Sequence, residues 1–243
     1  MNKLIFFGSA LLIIVSIYCV LSLIARIFRP PEADYLEKKY QQVMADKKLI
    51  DSLANDELQL LKKLNFSTKL LSKIKQINTN KITQLHKVYT ECADEFDDEY
   101  FEGVFLSCSE REAKMAINDL KHEFQKQGYL IFRNDSDHLG SGLAVIKGSE
   151  PWDILRYRQT DGCNYGLDTQ AIIKQLRDWG VTEVLGVGRD WVEFDFGRFA
   201  DDEMALAAEL YEFCPDIIEQ GLGSVEKLAD CLDVSTQITL WWD

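Results

Sequence analysis

The first apolar segment of the chain, residues 4–25, contains no charged side chain and is followed directly by Arg26. At a rise of about 1.5 Å per residue, a helix of this length spans the roughly 30 Å hydrocarbon core of a bilayer. A cleaved signal peptide has a shorter apolar region of about 7–15 residues and a small-residue cleavage site. The pattern therefore predicts an uncleaved transmembrane anchor over residues 1–29, with residues 4–25 in the lipid bilayer.

The charges that flank this segment predict its orientation. Lys3 and the α-amine precede it, whereas Arg26, Arg29, Lys38 and Lys39 follow it. Because cytoplasmic flanks carry the excess of basic residues, we expect the main body of the protein in the cytoplasm. The six cysteines are scattered without a CxxC pair, a pattern that fits a reducing compartment.

The polar and apolar positions of residues 30–90 predict a basic helical stalk. Pro30-Pro31 ends the membrane helix, because proline cannot continue a helix. Apolar residues then recur every three or four positions over residues 33–64, as on one face of a helix. Lys47 and Glu57 interrupt this stripe where a coiled coil requires apolar groups, which favours a short packed helix over a coiled-coil dimer.

Lysines dominate the second half of the stalk, and a strongly acidic stretch follows it. The lysines are Lys62, Lys63, Lys69, Lys73, Lys75, Lys81 and Lys87. Two interpretations stay open, since these helices either lie on an anionic cytoplasmic leaflet or present a solvated, lysine-rich face. Residues 91–102 carry seven acidic side chains and no basic one, and we interpret them as an acidic linker.

From residue 103 onward, short strand patterns alternate with amphipathic helix patterns. The predicted strands are residues 103–108, 129–132, 143–147, 152–159, 181–187, 191–196 and 237–242. The predicted helices are residues 109–127, 168–179, 201–213 and 225–232. Ser109 and Glu112 form a capping box at the first of these helices. This order indicates an α+β fold over residues 103–243, a single mixed-sheet domain packed by helices.

The net charge of −13 hides an asymmetry along the chain. Residues 1–90 carry 14 basic and 7 acidic groups, whereas residues 91–243 carry 13 basic and 33 acidic groups, a charge of −20. A domain of this charge repels nucleic acid and attracts a basic protein partner. Solubility alone also accounts for such acidity, and this alternative stays open.

Five short motifs in the second half of the chain carry a family resemblance. They are Thr160-x-Gly-x-Asn-Tyr165, Asp190-Trp-Val-Glu193, Tyr211-x-Phe-Cys-Pro-Asp216, Gln220-Gly-x-Gly-Ser224 and the terminal Leu240-Trp-Trp-Asp243. Together they resemble the uncharacterised bacterial family called domain of unknown function 4253, over about residues 103–243. The resemblance implies a compact bacterial α+β domain and implies no activity. With the predicted anchor, it places the protein in a bacterial inner (cytoplasmic) membrane as a single-pass protein.

Sequence patterns for nucleophilic, metal and cofactor chemistry are weak. All three histidines precede residue 139, so the family-like half supplies no imidazole base. The pairs Gly186-x-Gly188 and Gly221-x-Gly223 lack the third glycine of a dinucleotide loop, and we assign them to turns. Walker-type, zincin and nucleophile-elbow motifs are absent. We therefore expect no metal site and no cofactor.

Strand alternation predicts a candidate binding face. Trp191, Glu193 and Asp195 point to one side of their strand, and Trp241 and Asp243 point to one side of the terminal strand. If these strands are neighbours, both tryptophans share a polar face. The neighbouring residue Trp242 then belongs to the core and holds the chain terminus in the sheet.

Two arginines and two loop segments complete the candidate face. The predicted strand at residues 152–159 would align its arginines with the acidic residues of a neighbouring strand. The loop at residues 161–165 and the segment at residues 212–220 either border this face or cover it. The candidate binding residues are Arg156, Arg158, Asn164, Tyr165, Trp191, Glu193, Asp195, Asp216, Trp241 and Asp243.

These observations favour a membrane-anchored, non-enzymatic binding module of unknown ligand. One version is an immunity-type protein that captures a basic target. A hydrolase that uses Glu193, Asp195, Glu212 or Asp216 as acid and base is an alternative. A purely structural, membrane-tethered protein is another. The sequence makes no prediction of the oligomeric state.

Overall fold

The computed structural model of the protein describes residues 31–86, 100–136 and 140–243. The predicted membrane anchor over residues 1–29 and most of the predicted acidic linker lie outside the described residues. The chain divides into two compact units, with the boundary between Asp51 and Ser52. Within the three described ranges, no helix is both long enough and apolar enough to cross a membrane.

The described part of the first unit is dominated by one helix, α1 (Pro31–Ile50). The fixed φ of proline suits the first position of a helix, where a backbone N–H is not needed. The side chains of Leu36, Tyr40 and Val43 on its apolar stripe are exposed. The helix ends at Ile50, so the continuous helix predicted over residues 33–64 is interrupted.

Residues 52–86 pack onto the globular sheet, so the prediction of a separate helical stalk is wrong for this segment. Two short helices, α2 (Asn55–Lys63) and α3 (Thr68–Ile74), precede a strand, β1 (Ile82–His86). Although lysine-rich, this segment has a largely apolar inner face. Its buried side chains include Leu61, Leu70, Leu71, Ile74 and Ile82.

Glu57 shows why a charged residue stands on the apolar stripe of this segment. Its carboxylate accepts hydrogen bonds from the backbone N–H groups of Ala54 and Ile82, both at 2.7 Å. It also accepts one from Lys75 Nζ at 2.9 Å, and these side chains are only 2% and 8% exposed. Burial acts to raise the pKa of Glu57, but the three donors outweigh it and hold the pKa below its usual value.

The remaining elements form one mixed sheet with helices on both sides. The further strands are β2 (Tyr100–Ser107), β3 (Tyr129–Ser136), β4 (Gly140–Lys147), β5 (Glu183–Val187), β6 (Trp191–Asp195) and β7 (Gln237–Trp241). The further α-helices are α4 (Glu110–Gln125), α5 (Trp152–Arg158), α6 (Thr169–Asp178), α7 (Glu203–Phe213) and α8 (Val225–Val234). A short 3₁₀-helix, Cys163–Tyr165, and a π-helix, Ile217–Leu222, lie between them.

The seven strands of the described ranges follow the spatial order β1-β2-β4-β3-β5-β6-β7. Within these ranges, neighbouring strands are antiparallel except for β3 and β5. This parallel seam is short, with Arg133 opposite Gly186 and Asn134 opposite Val187. The sheet therefore consists of two antiparallel groups joined at one seam, and the predicted mixed-sheet α+β fold is confirmed.

Two hydrophobic clusters lie on opposite sides of the sheet, because successive side chains of a strand alternate between its faces. Helices α5 to α8 cover one side, where Phe132, Phe194 and Leu240 are buried. Helices α2 to α4 cover the other side, where Ile131, Val145 and Leu185 are buried. The second layer of helices does not extend over all of β6 and β7, which leaves part of that side of the sheet to polar residues.

The predicted strand over residues 152–159 is wrong, because this segment forms helix α5. Trp152, Leu155 and Arg158 are buried at three-residue spacing, as on one helix face. The carboxylate of Asp153 accepts the backbone N–H groups of Ser149 and Glu150, which fixes the start of the helix. The other strands and helices predicted within residues 103–243 are confirmed, with their ends shifted by a few residues.

Candidate functional site

The pairing of β6 with β7 brings the two polar-side tryptophans together. Trp191 lies directly opposite Trp241, Glu193 opposite Thr239, and Asp195 opposite Gln237. We call the surface formed by Trp191, Glu193, Asp195, Thr239 and Trp241 the tryptophan face. Its indoles are half-buried, whereas the Glu193 side chain is only 7% exposed.

Trp242 points to the opposite side of the sheet and is 2% exposed. Its ring meets the ring of Phe213 edge-on at 5.8 Å, and its Nε1 donates a 3.4 Å hydrogen bond to the Phe213 carbonyl. A Cβ on Gly162 would lie 2.9 Å from the Trp242 ring. The final tryptophan therefore locks the chain terminus into the core, as strand alternation predicts.

Glycines provide the space in which the two indoles of the tryptophan face lie. A Cβ on Gly188 would lie 1.9 Å from Nε1 of Trp191, and one on Gly186 would lie 3.0 Å from the same ring. A Cβ on Gly221 would lie 2.9 Å from the ring of Trp241. The assignment to turns is correct for Gly188, whose N–H donates to the Trp191 carbonyl across the β5–β6 turn, but Gly186 lies within β5 and Gly221 within the π-helix. All three glycines allow close packing of the aromatic rings.

Arg133 joins Trp191 to Glu193 across the neighbouring strand. The residue between them in register is Gly186, whose missing side chain lets the guanidinium cross β5. Nε and Nη2 of Arg133 lie 3.2 Å from Oε2 of Glu193. The guanidinium carbon lies 4.2 Å from the centre of the Trp191 ring, in cation–π geometry. Sequence reasoning missed Arg133, although strand alternation places it on the side of Tyr129.

Lys114 and Glu110 of α4 extend this group of charges. Nζ of Lys114 lies 3.0 Å from Oε1 of Glu193 and 3.0 Å from Oε1 of Glu110. Burial alone would lower the pKa of Lys114, but the two carboxylates outweigh it and raise the pKa. The hydrogen bond from Lys114 and the charge of Arg133 lower the pKa of Glu110. The acidic and basic groups alternate, so their charges are satisfied within the protein.

The predicted cross-strand pairs of Arg156 and Arg158 with the acidic residues are wrong, because both arginines belong to α5. Arg156 pairs with Asp153 on its own helix at 2.8 Å. Arg158 is buried, and its Nη2 donates a 3.1 Å hydrogen bond to the backbone carbonyl of Asp135. Neither arginine lies on the tryptophan face.

Asp216 connects four of the five sequence motifs. It is 3% exposed, and its Oδ1 accepts hydrogen bonds from the Tyr165 hydroxyl at 2.8 Å and Gln220 Nε2 at 3.0 Å. Its Oδ2 accepts the backbone N–H of Asp243 at 2.9 Å. The hydrogen bond to Asp216, together with partial burial, raises the pKa of Tyr165 to about 12. Asn164 lies in the same loop but is exposed.

Two further contacts fix the ends of the tryptophan face. The carboxylate of Asp195 accepts the backbone N–H of Gly197 at 2.7 Å and Gln237 Nε2 at 3.0 Å. Burial acts to raise the pKa of Asp195, but these donors outweigh it and lower the pKa. The Cys214 thiol donates to the carbonyl of Trp241 at 2.9 Å, and burial raises its pKa to about 11. This thiol is therefore a hydrogen-bond donor rather than a nucleophilic thiolate.

The chemical capacity of the tryptophan face follows from these contacts. Fixed donors already occupy Glu193, Asp195 and Asp216, and Glu212 is exposed on α7. The crevice between α4 and Glu193 measures about 40 Å³, far below the roughly 300–1,000 Å³ of a substrate pocket. In the described ranges, no group of three His, Cys, Asp or Glu side chains is arranged to hold a metal. The tryptophan face thus presents two half-buried indoles beside carboxylates that already accept hydrogen bonds from protein donors.

Comparison with known proteins agrees with the motifs. Residues 142–243 match the family described as Domain of unknown function (DUF4253). This match confirms the predicted resemblance over a shorter segment, which contains both indoles of the tryptophan face, their glycines and Asp216. Arg133 and Lys114 precede the matched segment. No curated protein and no solved structure matches the chain.

Proposed function

We propose that this protein, whose residues 142–243 match the DUF4253 family, is a membrane-anchored, non-enzymatic module that binds a basic protein through its tryptophan face. The observation that carries the proposal is the pair of half-buried indoles, Trp191 and Trp241, directly opposite each other on adjacent strands. Tryptophan and arginine are the residues that most often dominate binding energy at protein interfaces. Glycines and Arg133 hold these rings in place, so little side-chain freedom is lost on binding.

The charge of the domain supports a basic partner. Residues 91–243 carry a formal charge of −20, which accelerates the encounter with a positively charged protein. The acidic groups of the tryptophan face are held in fixed positions by Arg133, Lys114 and Gln237. An immunity-type protein that neutralises a basic toxic protein is one concrete form of this function.

The anchor belongs to the same proposal. The uncharged residues 4–25 hold the module at a bacterial inner membrane, and the basic residues that follow them orient its domain toward the cytoplasm. Contact of the lysine-rich segment with lipid has less support. Lys73 pairs with Glu123 of α4, and Lys75 and Lys81 pair with the two acidic residues Glu57 and Asp56 of the same segment. Deletion of residues 1–29 should move the protein from the membrane fraction to the soluble fraction, and retention on membranes would argue against the anchor.

Site-specific photo-crosslinking in cells tests the binding surface. A benzophenone amino acid replaces Thr239 on the tryptophan face or, as a matched control, Thr83 on β1, since both are half-buried strand threonines. We expect an adduct with one basic protein from position 239 and none from position 83. Equal adducts from both positions, or none from position 239, would refute binding through this face.

A further inference from the structure

A second surface lies on the side of the sheet covered by α5 to α8. A pocket of about 270 Å³ opens between the end of α6, the loop at residues 197–202 and the first turn of α7. Its walls include the aromatic residues Trp179, Phe196 and Phe199. Phe196 is buried and forms a fixed wall, whereas the Phe199 side chain is 56% exposed at the surface.

The polar lining of this pocket is strongly acidic. It contains four carboxylates and one guanidinium, Arg198, a formal charge of −3. The carboxylates are Asp178, Asp201, Asp202 and Glu209. The surrounding segment has the same character, since residues 201–243 carry eleven acidic side chains and one basic side chain, Lys227. The pocket thus offers aromatic surfaces and a field that attracts a cation.

The contacts of the four carboxylates leave part of their charge available. Asp178 pairs with Lys174 of α6 at 2.7 Å, in an ion pair whose side chains are both exposed. Oε2 of Glu209 accepts a 3.0 Å hydrogen bond from Nε1 of Trp179, which fixes the carboxylate without neutralising it. Arg198 pairs with Asp201 at 3.2 Å, but their side chains are 73% and 92% exposed. Such an exposed pair is weak and is easily exchanged for an incoming cation. Asp202 caps α7 by accepting the backbone N–H of Ala205 at 2.9 Å.

We propose that this pocket receives an arginine side chain of a basic protein, at a surface separate from the tryptophan face. A guanidinium stacks on aromatic rings and pairs with carboxylates at the same time, and the pocket combines both groups. Its volume lies just below the roughly 300–1,000 Å³ of small-molecule pockets, a size suited to one long side chain. This inference rests on the proposed capture of a basic protein, but it uses residues outside the tryptophan face.

Nuclear magnetic resonance of the full chain in detergent micelles tests the pocket directly. The indole N–H signal of Trp179 is followed during titration with N-acetyl-arginine methylamide, with N-acetyl-citrulline methylamide as the uncharged probe of similar shape. We expect a saturable shift of the Trp179 signal with the arginine probe and a much weaker one with citrulline. Equal shifts with both probes, or none at Trp179, would overturn the proposal.

Two variants sharpen the test without disturbing the core. Phe199→Ala removes an exposed ring and should weaken arginine binding about two- to fivefold, the contribution of an exposed cation–π contact. Glu209→Gln keeps an oxygen for Trp179 Nε1 but removes the charge, and it should also weaken binding. Unchanged affinity in both variants would contradict the assigned site. Shifts at Trp191 and Trp241 instead of Trp179 would sustain the proposed function and refute this pocket.

Discussion

Two buried carboxylates, Glu57 and Asp216, join elements on opposite sides of the sheet by different means. Glu57 accepts two backbone N–H groups and the ammonium of Lys75. The partners of Asp216 are all neutral: a tyrosine hydroxyl, a glutamine amide and a backbone N–H. The contrast follows the charge of the chain, because lysines are abundant around Glu57, whereas residues 201–243 contain one basic side chain.

On one side of the domain, acidic side chains are paired with nearby lysines, whereas on the other side many acidic side chains lack a nearby basic residue in the sequence. In the layer formed by α2 to α4, Lys73 pairs with Glu123, and Lys121 of α4 pairs with Glu183 of β5. In the layer formed by α5 to α8, the buried carboxyl group of Asp216 is held by neutral hydrogen-bond donors. Over residues 201–243, acidic side chains far outnumber basic ones. The first arrangement stabilises the fold, and the second leaves a negative field that a partner can use.

The largest expected effect comes from removal of the Glu57 carboxylate. Glu57→Ala leaves two buried backbone N–H groups without their acceptor. It also removes the carboxylate partner of the Lys75 ammonium, which keeps the backbone carbonyls of Thr79 and Asn80. Because breaking a buried ion pair strands the remaining charge, the free energy of unfolding should fall by about 3–5 kcal/mol. Urea denaturation measures this change. Asp56→Ala, which breaks the exposed pair with Lys81, is the control and should have a much smaller effect.

Asp216→Ala should cost less, since it leaves only neutral donors without an acceptor. We expect a loss of about 1–3 kcal/mol in the free energy of unfolding. The pKa of Tyr165, about 12 in the wild type, should return toward its usual value of roughly 10. Ultraviolet absorbance during alkaline titration follows the tyrosinate. A loss as large as that of Glu57→Ala would erase the distinction between the two carboxylates.

Acid should weaken the Glu57 junction in a predictable direction. The pKa of Glu57 is lower in the folded state than its usual value, so its contribution is present above roughly pH 4.3 and is lost as the pH falls further. Glu57→Gln removes this component, and its stability should depend less steeply on pH between about 6 and 3. Urea midpoints at both values measure the slopes. Parallel slopes for wild type and variant would exclude Glu57 as a contributor.

The smallest effect is expected when both charges of the pair are removed together. In the double variant Glu57→Gln and Lys75→Met, the glutamine oxygen still accepts the N–H groups of Ala54 and Ile82, and methionine fills the space of the lysine stem. Replacement of a buried pair by groups of similar volume is often close to neutral, so stability should stay within about 1 kcal/mol of the wild type. A loss as large as that of Glu57→Ala would mean that the ionic attraction itself is indispensable.

The sequence was sufficient for features that depend on local periodicity. Alternation in Ile238–Trp242 placed Trp242 in the core and Trp241 on the other side, and the β6–β7 register agrees. The same reasoning failed at residues 152–158. The apolar positions of this short segment fit both the two-residue spacing of a strand and the three-residue spacing of a helix. The start of the helix is fixed by Asp153, whose carboxylate accepts the N–H groups of Ser149 and Glu150. These contacts depend on the path of the chain before Trp152, which the local pattern does not specify.

The features that the sequence did not reveal depend on partners distant along the chain. Glu57 looks like an interruption of an apolar stripe until Lys75 and Ile82 come into contact with it. Gly188 lies in the β5–β6 turn as predicted, but only the structure shows that the indole of Trp191 occupies the space of its missing Cβ. Arg133 joins the candidate face only because β3 lies beside β5, a pairing that no local pattern specifies.

The parallel seam between β3 and β5 also has a consequence for the order of folding. The two hairpins that flank it, β3–β4 and β5–β6, form through pairs that are close in sequence, such as Ser136 with Gly140 and Val187 with Val192. The seam instead joins residues more than fifty positions apart, Arg133 and Gly186. Loop closure of that length delays contact formation. We therefore expect Arg133→Met to speed unfolding while leaving the folding rate nearly unchanged, as a chevron plot would record. The Arg133–Glu193 ion pair then forms late in folding and slows the separation of the two antiparallel groups of strands during unfolding.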